Sequence, residues 1–451
     1  MIETCLKTLY HHDLNMKKHL FVFVLSLALT IGCSAFASCG SSDPLYEELP
    51  SYEVVDVNDT TIAKDSSFID ATKIMQNATV LSSYDYIYAF GISKMVIIGN
   101  KAYVNFGANK NKLDGDVVNN NNEYCCSEVN LHDMSVNTLK PIVASKKYAD
   151  GSDAPANSII GYQTYTPTAN GQIATFALMR LNNKNPYYCY TFVNPSEQIY
   201  NFTTCKLQYF DTQGHEHYVD YTINNYRQML AELGFVNDYT ASTSDAYDNI
   251  NLHYNKDRGM YYAVVATSNS KSYLPIVIMQ STDLRKWSPY INIGSTYGAN
   301  EISAVVKDGK INICYRTYKN GMRWLIYDIT NKRILSEGRF DECRNVLSKP
   351  DTFIFGKDIY MAVNVYPSIY GNQLNHDPYT VRQEINIYKI VNNEPEFLRK
   401  IYNPDGINYF SFCESQNGKI YMAFSEDRRH LYKRLFSNIS FVDATEFFIE
   451  K

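Results

Sequence analysis

Asp351 to Val363 reads DTFIFGKDIYMAV: a short apolar run, a turn on Gly356 and Lys357, then a second apolar and aromatic run. Both halves have strand composition and the centre has hairpin-turn chemistry, so the stretch reads as an antiparallel hairpin. The same phrase returns as MVIIGNKAYVNF from Met95, SAVVKDGKINICY from Ser303 and CESQNGKIYMAF from Cys413. The later copies recur at roughly fifty to sixty residues, the period of a propeller blade and not of a helical solenoid. An all-β, six-bladed β-propeller is therefore expected, with its chemistry in loops around a central axis.

Working outward from these hairpins, blades are expected at about 80–145, 155–215, 240–292, 297–342, 345–395 and 400–450. The second is the weakest, with Asn170-Gly171 as its turn. One helix is expected, Asn224 to Leu233, where Tyr226, Met229, Leu230 and Leu233 recur at helical spacing; it decorates a loop between blades. Asn109 to Asn122 is rich in Asn, Asp and Gly and reads as a long first-blade loop of functional interest.

The 451 residues suffice for one large all-β domain with a well-buried core. The 39 Tyr suit both sheet packing and stacking on sugar rings. A net charge of −5 offers no basic stripe, so nucleic acid is not an expected partner. Cys125, Cys126, Cys189, Cys205, Cys314, Cys343 and Cys413 show no zinc-ligand spacing with His. Cys189 and Cys205 are candidates for a bridge between neighbouring strands, whereas Cys314 and Cys413 sit in apolar runs as small hydrophobes. No metal or organic cofactor is implied, and a monomer is expected.

The first residues read as an export signal. Lys17 and Lys18 precede an apolar run, Leu20 to Leu29, too short for a membrane span, with Met16 as the start of synthesis. Phe36-Ala37-Ser38-Cys39 then resembles a bacterial lipobox, in which the Cys thiol is acylated; Cys33 is the competing site. The polar run Gly40-Ser41-Ser42-Asp43 is similar to the tether of Bacteroidetes surface lipoproteins. The expected organisation is a signal peptide over 1–39, a tether and first strand over 40–70, and a propeller over 71–451, anchored by lipid to the cell envelope.

Ser281-Thr282-Asp283-Leu284-Arg285-Lys286-Trp287 looks like the Asp-box of sialidases, one or two residues short, and the shorter form also occurs in five-bladed furanosidases. Asn300-Glu301-Ile302-Ser303, followed by Asp308-Gly309 and Arg316, resembles the phrase in which a Glu opens a strand and an Arg closes its hairpin. Asn364-Val365-Tyr366-Pro367 with Arg382-Gln383-Glu384 resembles the segment carrying another family Arg. Ile407-Asn408-Tyr409-Phe410-Ser411 resembles the nucleophile phrase.

The resemblance implies a retaining exo-glycosidase acting on a terminal sugar that carries a carboxylate. A carboxylate nucleophile would be repelled by such a substrate, which is the reason for a Tyr nucleophile. Tyr409 then attacks with Glu301 as its base, and Arg316 and Arg382 hold the substrate carboxylate through planar forks. Asp116, with Asp114 as the alternative, stands where the acid/base residue of the mobile loop belongs. The sequence departs from the family at Phe90-Gly91-Ile92-Ser93, where an aromatic-Arg-Ile-Pro phrase is expected; Gly91 replaces the Arg and Lys94 is the nearby charge. Such a loss costs about 2–5 kcal/mol of binding. Two other readings stay open: a five-bladed furanosidase working through carboxylates, and a glycan-binding propeller without catalysis. Taken singly, each of these residues also has a plain reading: surface Arg, sheet Tyr, or turn Glu and Asp. His253 and His376 have no partner spacing.

Overall fold

Each repeated phrase forms an antiparallel hairpin in the computed structural model, which describes residues 67–81, 88–90, 94–109, 123–138, 159–160, 164–180, 187–193, 203–236, 247–268, 275–293, 299–317, 321–343, 348–365, 382–403, 406–427 and 437–449. The turn between Ala299–Lys307 and Lys310–Thr317 shows why the centre needs its residues: Asp308 and Gly309 have φ of 50° and 70°. Positive φ at both positions is what a two-residue turn matching the strand twist requires, and Asp and Gly tolerate it.

The hairpins extend into five sheets. Ala299–Lys307, Lys310–Thr317, Met322–Asp328 and Arg333–Arg339 make a four-stranded meander. Asp351–Phe355, Asp358–Val365, Glu384–Val391 and Glu394–Tyr402 make the next, closed outside by Phe68–Asp70 in parallel. Another holds Tyr247–Asn255, Met260–Ser268, Val277–Ser281 and Lys286–Asn292. Thr164–Pro167, Ile173–Arg180 and Tyr187–Val193 build the weaker second blade, with short strands at 159–160 and 203–204. The fold is thus an all-β propeller, but with five blades and not the six expected. The reason lies in the fifth sheet, which has nine strands: Asn408–Glu414, Ile420–Asp427 and Ser437–Asp443 continue into Tyr88–Phe90, Lys101–Asn109 and Glu123–Asn130 through a parallel pairing of Ser437 with Tyr88. The first and last expected units are one hydrogen-bonded sheet.

Two further boundaries differ from expectation. The hairpin Lys206–Phe210 with Glu216–Asp220 leaves the second blade and pairs in parallel with Lys286–Asn292 at the outer edge of the third. The helix, Ile223–Glu232, follows this hairpin; the Thr222 hydroxyl caps it by accepting from Asn225 N at 3.0 Å, and Tyr226, Met229 and Leu230 are buried against a core that includes Trp287. The 281–287 turn is closed by Asp283, whose carboxylate accepts from Arg285 N and Lys286 N at 2.8 and 2.9 Å. The Trp287 indole meanwhile donates to Leu284 O and meets Phe176 edge-on. The Cys205 thiol is buried and donates to Leu284 O at 3.6 Å, and the side chain of Cys189, its candidate bridging partner, lies outside the described residues. Cys314 is a buried hydrophobe, as expected, while Cys413 is only partly buried.

Around the axis, six inner strands touch in a closed ring because the nine-stranded blade supplies two of them. Val96–Ile98 meets Thr164–Pro167, then come Tyr247–Asn255, Ala299–Lys307, Asp351–Phe355 and Asn408–Glu414, which returns to Val96–Ile98. Among the described residues neighbouring inner strands share no ladder beyond one parallel bridge, Lys94 with Thr164, so buried N–H groups need other acceptors. Side chains supply them. Leu252 N donates to Thr164 Oγ1 at 3.3 Å, Thr352 N to Ser303 Oγ at 2.8 Å, Phe412 N to Asp351 Oδ2 at 2.7 Å and Met95 N to Ser411 Oγ at 3.1 Å. These bonds set the height of each inner strand on the axis, and so the height of whatever side chain opens it.

Candidate active site

Glu301 and Tyr409 both sit in bulges at the heads of inner strands, one register position apart, since Tyr409 matches Asn300 and Glu301 matches Phe410. The ladder of Ala299–Lys307 shifts register between Ala299 and Ile302, and that of Asn408–Glu414 shifts between Asn408 and Ser411. A bulge leaves residues out of the pairing and re-aims their side chains. Tyr409 also has φ of +44°, in the left-handed region that a bulky residue avoids. Strain of this kind costs about 1–3 kcal/mol and persists where the surroundings enforce it.

The surroundings of both residues are charged and buried. Arg316, near the end of the strand that pairs with Ala299–Lys307, places Nη1 2.8 Å from Glu301 Oε2. Arg382 is 2% exposed and stands just before Glu384–Val391; its Nη1 donates to Asn408 Oδ1 at 2.8 Å. Its guanidinium carbon lies 5.4 Å from the Tyr409 ring centroid, a cation–π contact. The backbone repeats the link, since Ile407 N donates to Arg382 O at 2.7 Å. Thus Glu301 is tied to Arg316, and Tyr409 to Arg382.

Asn364, on the strand Asp358–Val365, holds the approach to Tyr409 by donating from Nδ2 to Ile407 O at 2.8 Å and Glu384 O at 3.2 Å. Ser348 Oγ donates to the same Asn408 oxygen that Arg382 uses, at 3.2 Å. Lys349 follows, 2% exposed, its pKa pushed down to about 8 by burial, with Asp351 and Glu301 opposing the shift and Lys94 adding to it. None of these residues was singled out for the site from sequence except within the Asn364 phrase. The available signal was Asp351, a charge at the head of an apolar inner strand just as Glu301 is.

Lys94, the charge expected near the substrate carboxylate, lies among inner strands. Its ammonium donates to Ala304 O at 3.2 Å and Thr352 O at 2.9 Å, and lies 4.0 Å from Asp351 Oδ1. Burial lowers its pKa, opposed by Asp351. It ties three inner strands together. His253 bonds the backbone of Val306, and burial, then the Lys94 charge, push its pKa down to about 3, so the ring is neutral. Asp114, Asp116, Gly91, Cys33, Cys39 and His376 lie outside the described residues.

No family model matches the chain, and no curated protein matches it. Solved structures do. Trypanosoma rangeli sialidase aligns with a TM-score of 0.53 at 12% identity, over 84% of this chain and 59% of its own. A protein of unknown function from Dyadobacter fermentans gives 0.52 at 11% identity, over 81% and 97%. A Hadza microbial sialidase gives 0.50 at 8%, over 80% and 67%. At these identities the likeness is one of fold, and this chain spans 59% of the length of the trypanosomal enzyme.

Proposed function

We propose that the chain is an exo-acting glycoside hydrolase of the sialidase kind, releasing a terminal carboxylated sugar through a Tyr nucleophile. The observation that carries this reading is the presence of two bulged inner strands, one carrying Glu301 on Arg316 and the other a strained Tyr409 against Arg382. In the proposed reaction the Tyr409 hydroxyl oxygen bonds to the anomeric carbon as its proton passes to Glu301. The bond to the leaving oxygen breaks, and Asp116 gives that oxygen a proton. Water then displaces tyrosine with Asp116 as base, and Tyr409 recovers its proton from Glu301. Arg316 positions the Glu301 carboxylate, and Arg382 supplies positive charge beside the nucleophile and the substrate carboxylate. The finer elements of the reading, an Asp-box at 281–287, a glycan substrate met by a monomer, and export with a lipid anchor on Cys39, belong to the same proposal. The reaction is tested by release of an aryl aglycone from an aryl sialoside; Tyr409→Phe is expected to abolish it while the far-ultraviolet spectrum is unchanged. Replacing Cys39 by Ser is expected to release the protein from membranes.

A second reading is favoured by the blade count. Five blades suit a furanosidase, which works through axial carboxylates, and Asp351 and Glu301 both open inner strands. Against it, Asp351 holds Ser303 Oγ and Phe412 N while standing beside Lys94, the setting of a structural carboxylate. Release of an aryl arabinofuranoside, unaffected by Tyr409→Phe, would decide for the furanosidase. Saturable glycan binding without release of either aglycone would decide for a binding propeller.

A further inference from the structure

The backbone just ahead of Tyr409 is held from two sides by the preceding blade. Ile407 N donates to Arg382 O at 2.7 Å, and Ile407 O accepts from Asn364 Nδ2 at 2.8 Å. The same amide nitrogen also reaches Glu384 O at 3.2 Å, so one side chain spans the strand that follows Arg382 and the segment that leads into Tyr409. The Ile407 side chain is fully buried in an apolar cluster with Ile385 and Phe410. Asn408 comes next, its Oδ1 accepting from Arg382 Nη1 at 2.8 Å and from Ser348 Oγ at 3.2 Å.

Beyond the bulge the strand is fixed again. Ser411 Oγ accepts from Met95 N, and Phe412 N donates to Asp351 Oδ2. Between these anchors the ladder runs from Asn408 opposite Ser425 to Ser411 opposite Ala423, three steps along one strand against two along its partner. The surplus residue has to be absorbed locally. Tyr409 sits where it is absorbed, with φ of +44°, a conformation in which Cβ crowds the following carbonyl oxygen. Asn364 carries a cost of its own. It is buried, and with Nδ2 turned to two carbonyls its Oδ1 makes no hydrogen bond among the described residues. An open buried acceptor is unfavourable, and an apolar side chain of similar size would avoid it. What the amide supplies instead is the link between the two strands.

We propose that Asn364 is a positioning residue for the nucleophile: by gripping Ile407 O it keeps Tyr409 in its left-handed conformation, and so fixes where the phenol hydroxyl stands. The proposal rests on the Tyr-nucleophile reading above and adds to that site a residue that acts through the backbone and not by contact with the sugar. Without the amide, Ile407 O loses its donor, the bulge can shift along the strand, and Tyr409 relaxes toward negative φ with its hydroxyl displaced. A displacement of about 1 Å is enough to lower a rate about a hundredfold, while the groups that bind the substrate in its ground state stay in place.

Two measurements on the full chain test this, and the first needs no activity. Tyr409→Gly and Tyr409→Ala both delete the ring and differ in their tolerance of positive φ, so the ratio of their folding equilibrium constants reads the strain at this position. In the otherwise unchanged chain Tyr409→Gly is expected to be the more stable in urea, by about fivefold or more in that ratio. Combined with Asn364→Leu, the advantage is expected to disappear. Asn364→Leu removes the open acceptor along with the donor; Asn364→Ser, which is smaller, carries the same comparison if the leucine variant does not fold. The second measurement is kcat and KM for release of the aglycone from an aryl sialoside. With Tyr409 intact, Asn364→Leu is expected to lower kcat about a hundredfold and to leave KM within about threefold. A glycine variant no more stable than the alanine variant, an advantage that survives in Asn364→Leu, or a loss carried by KM with kcat unchanged overturns the proposal while the nucleophile reading stands. No release by the wild type overturns that reading, and the glycine and alanine comparison then still decides whether Asn364 holds Tyr409.

Discussion

Replacing Asp351 by Ala is expected to be among the most destabilising single changes in the chain. The side chain is fully buried; Oδ1 accepts from Ser303 Oγ at 3.0 Å, Oδ2 accepts from Phe412 N at 2.7 Å, and Lys94 Nζ stands 4.0 Å away. Deleting it leaves a buried backbone N–H without its acceptor, which costs about 1–3 kcal/mol. It also leaves the enclosed Lys94 ammonium without its counter-charge, and breaking a buried pair costs about 3–5 kcal/mol. One carboxylate serves both, so the terms overlap and a total of about 3–5 kcal/mol is expected, a large share of the roughly 5–15 kcal/mol that holds a domain. Asp351→Asn keeps an acceptor for Phe412 N but loses the charge, and is expected to fall between. Adding Lys94→Met to Asp351→Ala removes the orphaned ammonium, so the double variant is expected to lose less than the two single losses added, by at least about 1 kcal/mol. Urea unfolding followed by tryptophan emission reads this directly, because Trp287 and Trp324 are both buried in blades. A loss under about 1 kcal/mol for Asp351→Ala, or strict additivity in the double variant, would refute the argument that this carboxylate pins the inner strands.

Three further outcomes are expected. Arg316→Met strands Glu301, which is 3% exposed, and is expected to cost about 3–5 kcal/mol; adding Glu301→Gln is expected to restore stability without activity, and failure of the second change to restore it counts against the ion pair as the cause. Gly338→Ala puts a Cβ 2.7 Å from Trp324 Cζ2 on the facing strand and is expected to cost about 1–3 kcal/mol in urea; a neutral result would show that the indole moves freely. His253 is held neutral to about 3, below its ordinary 6.5, so between those values the unfolded chain binds a proton that the folded chain does not. Stability then falls as pH drops from 6.5, by at most about 1.4 kcal/mol per pH unit from this group, and His253→Gln is expected to flatten that slope; parallel curves for wild type and variant would contradict it.

Much of the fold could be read from local chemistry. The hairpins follow from apolar runs around Gly, Asn and Asp turns, and the blade built on Asp351–Phe355 lay where its phrase put it, although it runs on to Tyr402 because Asn392 and Asn393 make a turn with positive φ and not an ending. What could not be read were pairings between distant segments. Nothing local announces that Ser437 pairs with Tyr88 and joins two expected blades, or that the 206–220 hairpin crosses to Lys286. In the site, Glu301 with Arg316 and Arg382 with Tyr409 came together as neighbours, since each phrase keeps a residue type at a strand head. Lys94 and Lys349 could not be told apart in sequence. Which carbonyls hold Lys94 depends on the heights of the inner strands, set by hydroxyl and carboxylate bonds between blades.

The most direct measurement is to trap the intermediate. A 2,3-difluorosialic acid has a leaving fluoride at the anomeric carbon and a second fluorine that slows breakdown of an oxocarbenium-like transition state, so a glycosyl-tyrosine accumulates if Tyr409 is the nucleophile. Mass spectrometry of the digested protein is expected to show the sugar on the peptide containing Tyr409, with the adduct absent from Tyr409→Phe. An unmodified Tyr409 peptide from protein that releases the aryl aglycone, or an adduct on Glu301 or Asp351, would contradict the account.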